Sequence, residues 1–268
     1  MRIFHATRLR AEALAAGHMR SAYHRVLTLW GRSNGMKLLL VGLVRRGDVV
    51  LDVGANRGIF TALLSNLVGA AGRVHAFEPS PDTCALLRET LARRARHPEN
   101  VTINTTAVGT EDGMATLFTP QDDHGQASLR THESGSWSES APVRSAEVAV
   151  VRLDSYAAKM SLSRIHVVKM DVEGAELLAV TGFAHGLATM HPIVACELCG
   201  AWTAAFDYAP SAVIGELRKA GYDTFHLVTD QGELVRLADF RVVNDGASHD
   251  LVASVARAHA ARIDPLVR

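Results

Sequence analysis

From Asp48 onward the chain alternates short apolar runs with amphipathic stretches. Runs rich in Val, Ile and aromatic residues predict strands over Val49–Val53, Arg73–Phe77, Val101–Asn104, Ile165–Met170, Ile193–Glu197, Thr224–Val228 and Leu251–Val255. Apolar residues three and four apart predict helices over Ile59–Leu67, Asp82–Arg94, Ala175–Val180 and Ser211–Ala220. Alternating units of this size predict a parallel sheet with helices on both faces. Before Asp48 the pattern is helical. Leu9, Ala13, Ala16, Met19, Tyr23, Val26 and Trp30 form an apolar stripe over residues 6–30, with Arg and His on the other face and Gly31 as a stop.

Two stretches break the rhythm. Residues 119–147 are rich in Ser, Gly, His and acids, carry no helical period, and lie between short strands predicted at Ala115–Phe118 and Glu147–Val151. A loop of this length inside a compact domain is usually functional, so it is a candidate lid through Gln126, Ser128 and Trp137. Residues 229–249 are polar and carry the turn signals Asp230-Gln231-Gly232 and Asn244-Asp245-Gly246.

Composition adds bounds. The chain has 268 residues, of which 48% are hydrophobic, so a large core is available and wholesale disorder is excluded. The formal net charge is zero, which argues against a protein that lives by wrapping nucleic acid. That zero is uneven. Residues 1–46 hold nine Lys/Arg against the single acid Glu12, a local charge of +8, so the remainder carries −8. The organisation expected is an N-terminal helical cap over residues 1–45 and one domain over 46–268. The cap's basic face is a candidate contact for a second copy, a substrate or RNA, or is simply solvated.

Cys196-x-x-Cys199 has redox or zinc spacing, but with only Cys84 besides, no second pair completes a site, and buried thiols are expected. The apolar run Leu38–Val44 is too short for a membrane span, and a soluble cytoplasmic protein is expected.

The candidate chemistry sits at strand ends, where open α/β sheets bind ligands. The first strand runs into Asp52-Val53-Gly54-Ala55-Asn56-Arg57-Gly58. A dinucleotide turn wants G-x-G-x-x-G, but Asn56 and Ile59 stand where the second and third glycines belong. The alternative is an acid-x-Gly-x-x-x-Gly turn whose carboxylate faces an amine, such as that of S-adenosylmethionine. The second strand ends at Phe77-Glu78-Pro79, where Glu78 can accept both hydroxyls of a ribose. The fourth gives Lys169-Met170-Asp171-Val172-Glu173-Gly174-Ala175-Glu176, and the fifth ends at Glu197. Asp171 and Glu197 would lie side by side as a base or as ligands of Mg²⁺, which takes few protein ligands. Lys169 would orient a carboxylate or polarise an acceptor. His124 and His132, in the long loop, are further candidate bases or substrate contacts.

Three blocks, Val49 to Gly58, Ala76 to Pro81 and Lys169 to Glu176, resemble in order and spacing the FkbM family of S-adenosylmethionine-dependent methyltransferases. Asn100-Val101, Ala107-Val108-Gly109 and Arg152-Leu153-Asp154-Ser155 resemble its intermediate segments, and the likeness covers about residues 48–200. It implies the class I methyltransferase sandwich, an α/β fold with a seven-stranded sheet whose last strand is antiparallel. It implies S-adenosylmethionine as cofactor and a hydroxyl on a sugar, nucleoside, polyketide or other secondary metabolite as acceptor. By position, Asp52, Gly54, Ala55, Asn56 and Gly58 would surround the methionine half of the cofactor. Glu78 would hold the ribose, Phe77, Pro79, Thr106 and Ala107 would border the adenine, and Asp171 would lie near the transferred methyl. Three other readings stay open: an RNA methyltransferase docking through the basic segment, a nicotinamide-dependent oxidoreductase, and a cofactor-binding protein without catalysis.

Overall fold

The computed structural model describes residues 35–120, 126–132, 137 and 142–268. The helix expected over 6–30 and the candidate base His124 lie outside the described residues.

The strands are β1 Val49–Val53, β2 Arg73–Phe77, β3 Val101–Asn104, β4 Ala107–Val108, β5 Gly113–Pro120, β6 Val143–Val151, β7 Val167–Met170, β8 Ile193–Cys199, β9 Thr224–Val228, β10 Leu234–Arg236 and β11 Ser248–Ser254. The main sheet runs β10-β9-β11-β8-β7-β1-β2-β3. Strands β3, β2, β1, β7 and β8 are mutually parallel, whereas β11 is antiparallel to both β8 and β9. This is the class I methyltransferase architecture.

The sheet has eight strands, not the seven expected. The eighth, β10, lies in the stretch read as turns and pairs antiparallel with β9. Three residues are too few to show a period of two, and the turn closed by Gly232 N–H donating to Thr229 O at 2.8 Å hides the hairpin in sequence.

The described helices are α1 Gly35–Leu43, α2 Ile59–Val68, α3 Pro81–Arg94, α4 Leu153–Lys159, α5 Glu176–Gly182, α6 Ala184–Met190, α7 Gly200–Thr203, α8 Ser211–Lys219 and α9 Ala256–Ile263. Strand alternation sorts the core into two layers. Val50, Val167 and Val252 pack under Leu39, Leu40 and Leu43 of α1, Leu64 and Val68 of α2 and Ile263 of α9. Leu51, Val53, Val168 and Val194 pack against Leu153, Ala179, Leu187 and Ile214 on the opposite face. Helix α1, placed by the sequence reading inside the N-terminal cap, thus buries its apolar face in the core of the sheet. Helix α9 is tied down by Arg262, whose guanidinium makes a two-pronged pair with buried Asp48 at 2.5 and 2.8 Å.

The second sheet, β4-β6-β5, is small. Its β5–β6 ladder runs from Gly113↔Val150 to Pro120↔Val143, longer than the two short strands expected. Ser128 pairs with Phe118 through bonds of 2.8 and 3.0 Å, so part of the long loop folds back on this sheet. All three thiols are free. Cys196 and Cys199 stand three apart on one strand, an odd spacing that puts them on opposite faces and explains why the C-x-x-C spacing forms no pair. Among the described residues no helix is long and apolar enough to cross a membrane.

Candidate active site

A cleft of about 610 Å³, open mouth included, lies beyond the carboxyl ends of β1, β2 and β7. Val53, Gly54, Asn56, Phe77, Glu78, Pro79, Thr106, Ala107 and Val108 form one side. Asp171, Val172, Glu173 and Ala175 form the next, and Leu117, Ala127, Ser128 and Leu129 form a roof. That size suits a cofactor.

The turn after β1 is held open by backbone geometry. Gly54 has φ +78°, and a Cβ there would sit 1.7 Å from the Asp171 carbonyl oxygen. Only glycine lets β1 and β7 converge so closely. The Gly54 and Ala55 N–H groups donate to Phe77 O at 3.1 and 2.9 Å, fixing the turn to β2. Glu78 completes the corner. Its Oε2 accepts from Asn56 N–H at 3.0 Å and its Oε1 from Ser80 N–H at 2.9 Å. Burial pushes its carboxyl up to about 7, against the lowering effect of those two bonds. Each oxygen keeps a further lone pair toward the cleft. The Thr106 hydroxyl, also at the wall, is buried with no hydrogen-bond partner.

Strand register sets the neighbouring charges. Asp52 pairs with Lys169 across β1 and β7, so both side chains leave the same face. Lys169 is 2% exposed; its Nζ donates to Gly54 O at 2.9 Å and lies 3.5 Å from Asp52 Oδ1 and 3.4 Å from Asp171 Oδ2. Burial pulls the ammonium down, but the two carboxylates together outweigh it and its pKa is raised. Asp52 is fully buried, and burial raises its pKa against the Lys169 charge and the Thr61 hydroxyl, which donates at 2.7 Å. The sequence reading aimed Asp52 at a cofactor amine. Its carboxylate instead turns into the core toward Lys169, because parity puts it on the α2 side of the sheet. Lys169 likewise lies beneath the cleft and not on its wall, where it positions Asp171 and the glycine turn.

Beyond the cleft the acids crowd together. Met170 and Cys196 are register partners, so Asp171 and Glu197 follow at adjacent strand tips. Burial, then the Asp171 charge, raises the Glu197 pKa, and Ser248 donates a hydrogen bond to Glu197 Oε1. Glu173, in the left-handed region at φ +52°, is pushed up to about 9 by burial and by Asp171, Glu197 and Glu176. Glu176 is buried and structural: Oε1 accepts from Val172 and Gly174 N–H, clamping the β7–α5 turn. Asp250, opposite Glu197 in the β8–β11 ladder, is pushed up to about 7 by burial and by Glu197. Among the described residues no group of three or more His, Cys, Asp or Glu is disposed to hold a metal ion.

The roof is pinned from two sides. Ser128 Oγ donates to Glu173 O at 2.8 Å. His132 is buried and sits edge-on to Trp202 and Trp137, with centroids 4.4 and 5.2 Å apart. Burial lowers its pKa to about 4. The unfolded imidazole takes its proton near 6.5, so stability is fully present above that value and is lost as pH falls toward 4. By about pH 5.5 the loss is on the order of 1 kcal/mol, or roughly 2–4 °C in melting temperature. His132→Phe is expected to keep the aromatic packing and flatten this acid slope in melting curves between about pH 7 and 5. An unchanged slope would remove His132 as its source.

Of the residues singled out in sequence, Gly54, Asn56, Phe77, Glu78, Pro79, Thr106, Ala107, Asp171 and Glu173 line the cleft. Glu197 lines an adjoining groove with Ser248 and Asp250. Ala55 is buried in the turn, and Gly58 caps α2 with its Cα against Leu87 of α3. Sequence reasoning missed Asp250 and the apolar roof positions Leu117, Ala127 and Leu129. The one signal for Asp250 was its place opposite Glu197, which needed the strand register.

The fold and this cleft define the class: an S-adenosylmethionine-dependent class I methyltransferase architecture. Residues 52–224 match the FkbM methyltransferase domain, and the chain belongs to that family. The chain is 34% identical over 161 residues to the 31-O-demethyl-FK506 methyltransferase FkbM of Streptomyces tacrolimicus. That stretch is 52% of this chain and 60% of the relative, so the chain matches less than two thirds of that protein's length. Among solved structures it is similar to methyltransferase FkbM from Methylobacillus flagellatus KT, at 15% identity, TM-score 0.49, and 81% and 52% of the two chains. Aeropyrum pernix fibrillarin, solved with S-adenosylmethionine bound, is similar at 14% identity, TM-score 0.43, and 79% and 67% coverage.

Proposed function

We propose that the protein transfers a methyl group from S-adenosylmethionine to a hydroxyl of a small molecule. The observation that carries this is the cleft wall itself. Glu78 stands at the β2 tip, a hydroxyl without a partner sits at Thr106, and no Lys, Arg or His lines the cleft among the described residues. A nicotinamide dinucleotide would bring a pyrophosphate to a wall with no side-chain cation. S-adenosylmethionine brings none, and its ribose hydroxyls suit a carboxylate acceptor.

The bound cofactor would supply an electrophilic methyl group on a sulfonium. The protein's share is alignment and proton removal, and alignment alone can be worth up to ~7–11 kcal/mol. Asp171 is the residue best placed to accept the hydroxyl proton at a side-chain oxygen, since it lines the cleft and is held from behind by Lys169. Glu173, pushed up to about 9, is uncharged near neutral pH and can donate a hydrogen bond. The scheme needs no metal ligand set, so turnover is expected to survive exhaustive EDTA treatment. Loss of activity restored by Mg²⁺ would instead support Asp171 and Glu197 as its ligands.

Glu78→Ala is expected to weaken S-adenosylhomocysteine binding about 10–100-fold in calorimetry, the worth of one or two hydrogen bonds to a charged group. Because the Glu78 carboxyl titrates about 7, wild-type affinity is also expected to fall as pH drops below that value, where protonation removes an acceptor. Undiminished binding by Glu78→Ala would overturn the cofactor assignment.

A further inference from the structure

At the opposite edge of the sheet, where β9 begins and β11 ends, a second cavity opens between the sheet and α9. It holds about 1240 Å³, open mouth included. We propose that it binds a small carboxylate that also carries an α-amino or α-hydroxyl group. The proposal is independent of methyl transfer.

The space exists because α9 faces the sheet there with methyl groups only. Ala256 and Ala260 lie one turn apart, and Ile263 closes the same stripe. The floor under them is polar. Arg236 and His226 are register partners across β10 and β9, and Ser254 and Thr224 across β11 and β9, so these side chains share one face. His226 is 3% and Ser254 0% exposed, yet His226 Nδ1 and Ser254 Oγ have no hydrogen-bond partner. Buried polar groups are normally paired, so unpaired ones lining a cavity point to a missing partner.

The charges narrow the partner. Asp223 is already used: its Oδ1 accepts from Ala256 N–H and the Thr224 hydroxyl, both at 2.8 Å. Among the described residues Arg236 and Asp264 make no ion pair, although both line the cavity. A carboxylate satisfies Arg236 together with the Ser254 hydroxyl and a His226 N–H. An α-amino or α-hydroxyl group then donates to Asp264, and an apolar side chain lies on Ile263 and Val267. Arg236 and Asp264 are also the charged groups that act on His226, which burial holds low; Arg236 lowers it further and Asp264 opposes that. A bound carboxylate adds a negative charge and raises its pKa.

Calorimetry and histidine NMR on the full chain test this with three probes: leucine, its α-hydroxy analogue, and the analogue with no α substituent. The first two are expected to bind saturably below about 10 mM and to raise the His226 pKa. The third is expected to bind at least about tenfold more weakly. Arg236→Gln, at an exposed edge-strand position, is expected to weaken the first two by at least about tenfold. Ala260→Leu, which narrows the cavity beside α9, is expected to weaken binding. Asp264→Asn is expected to weaken leucine more than the hydroxy acid. No saturable binding to about 10 mM, or binding untouched by Arg236→Gln, would overturn the proposal. Equal binding of the unsubstituted acid would overturn the role given to Asp264.

Discussion

Lys169→Ala is expected to destabilise the fold by about 3–5 kcal/mol, the usual cost of stripping one partner from a buried ion pair. Three acceptors depend on this ammonium: Asp52 at 3.5 Å, Asp171 at 3.4 Å and the Gly54 carbonyl at 2.9 Å. Asp52 is fully buried, so water cannot replace the lost charge. It can only take up a proton, and this sets the pH dependence. Its folded pKa is already raised above the unfolded value and rises further without Lys169. Such a group contributes stability below its unfolded pKa and loses it as pH rises through the folded one. The variant should therefore be weakest in alkaline buffer and partly recover in acid. Lys169→Met with Asp52→Asn should recover much of the loss, because both charges then leave together. Urea denaturation at several pH values measures this, and a loss below about 1 kcal/mol at every pH would place Lys169 among marginal pairs.

Asp171→Ala is expected to lower turnover about 10²–10⁴-fold, the range for a positioned general base. Cofactor affinity should change far less than in Glu78→Ala, because the role proposed for Asp171 is on the acceptor side of the cleft. The comparison needs labelled S-adenosylmethionine, a panel of hydroxyl acceptors and calorimetry on the same preparations. Full turnover in Asp171→Ala combined with Glu197→Ala would remove both carboxylates from the chemistry. A parallel loss of cofactor binding would make Asp171 a cofactor-positioning residue.

The strands β1, β2, β3 and β9 fall at the bounds expected from their apolar runs. Their signal is local: β-branched residues, a period of two, and a turn residue at each end. The corner formed by the Gly54 turn and Glu78 was legible for the same reason. Gly54 and Glu78 act through the backbone shape and charge of their own strand ends, which a linear motif records. Lys169 illustrates the limit. Its place in a motif marked it as important, but whether it reached the cleft depended on its register against Asp52. Strand β10 and Asp250 were missed for the same kind of reason, since each gains its meaning from a neighbour far away in sequence. Strand parity also puts Cys196 and Cys199 on opposite faces, a separation that their spacing alone does not record.

By itself the sequence determined the α/β class, the order of the strand-end motifs and the acid at the β2 tip, because those depend on residues a few positions apart. Tertiary structure alone decided which charges meet. Register put Asp52 on Lys169 and Glu197 beside Asp171 and Asp250, and the folding-back of Ser128 and its neighbours roofed the cleft. Within the described residues Lys169 is a buried cation that positions its neighbours, and burial and neighbouring charges push Glu173, Glu197 and Asp250 toward protonation. Pairings of that kind depend on distance in space, which no local pattern of residues encodes.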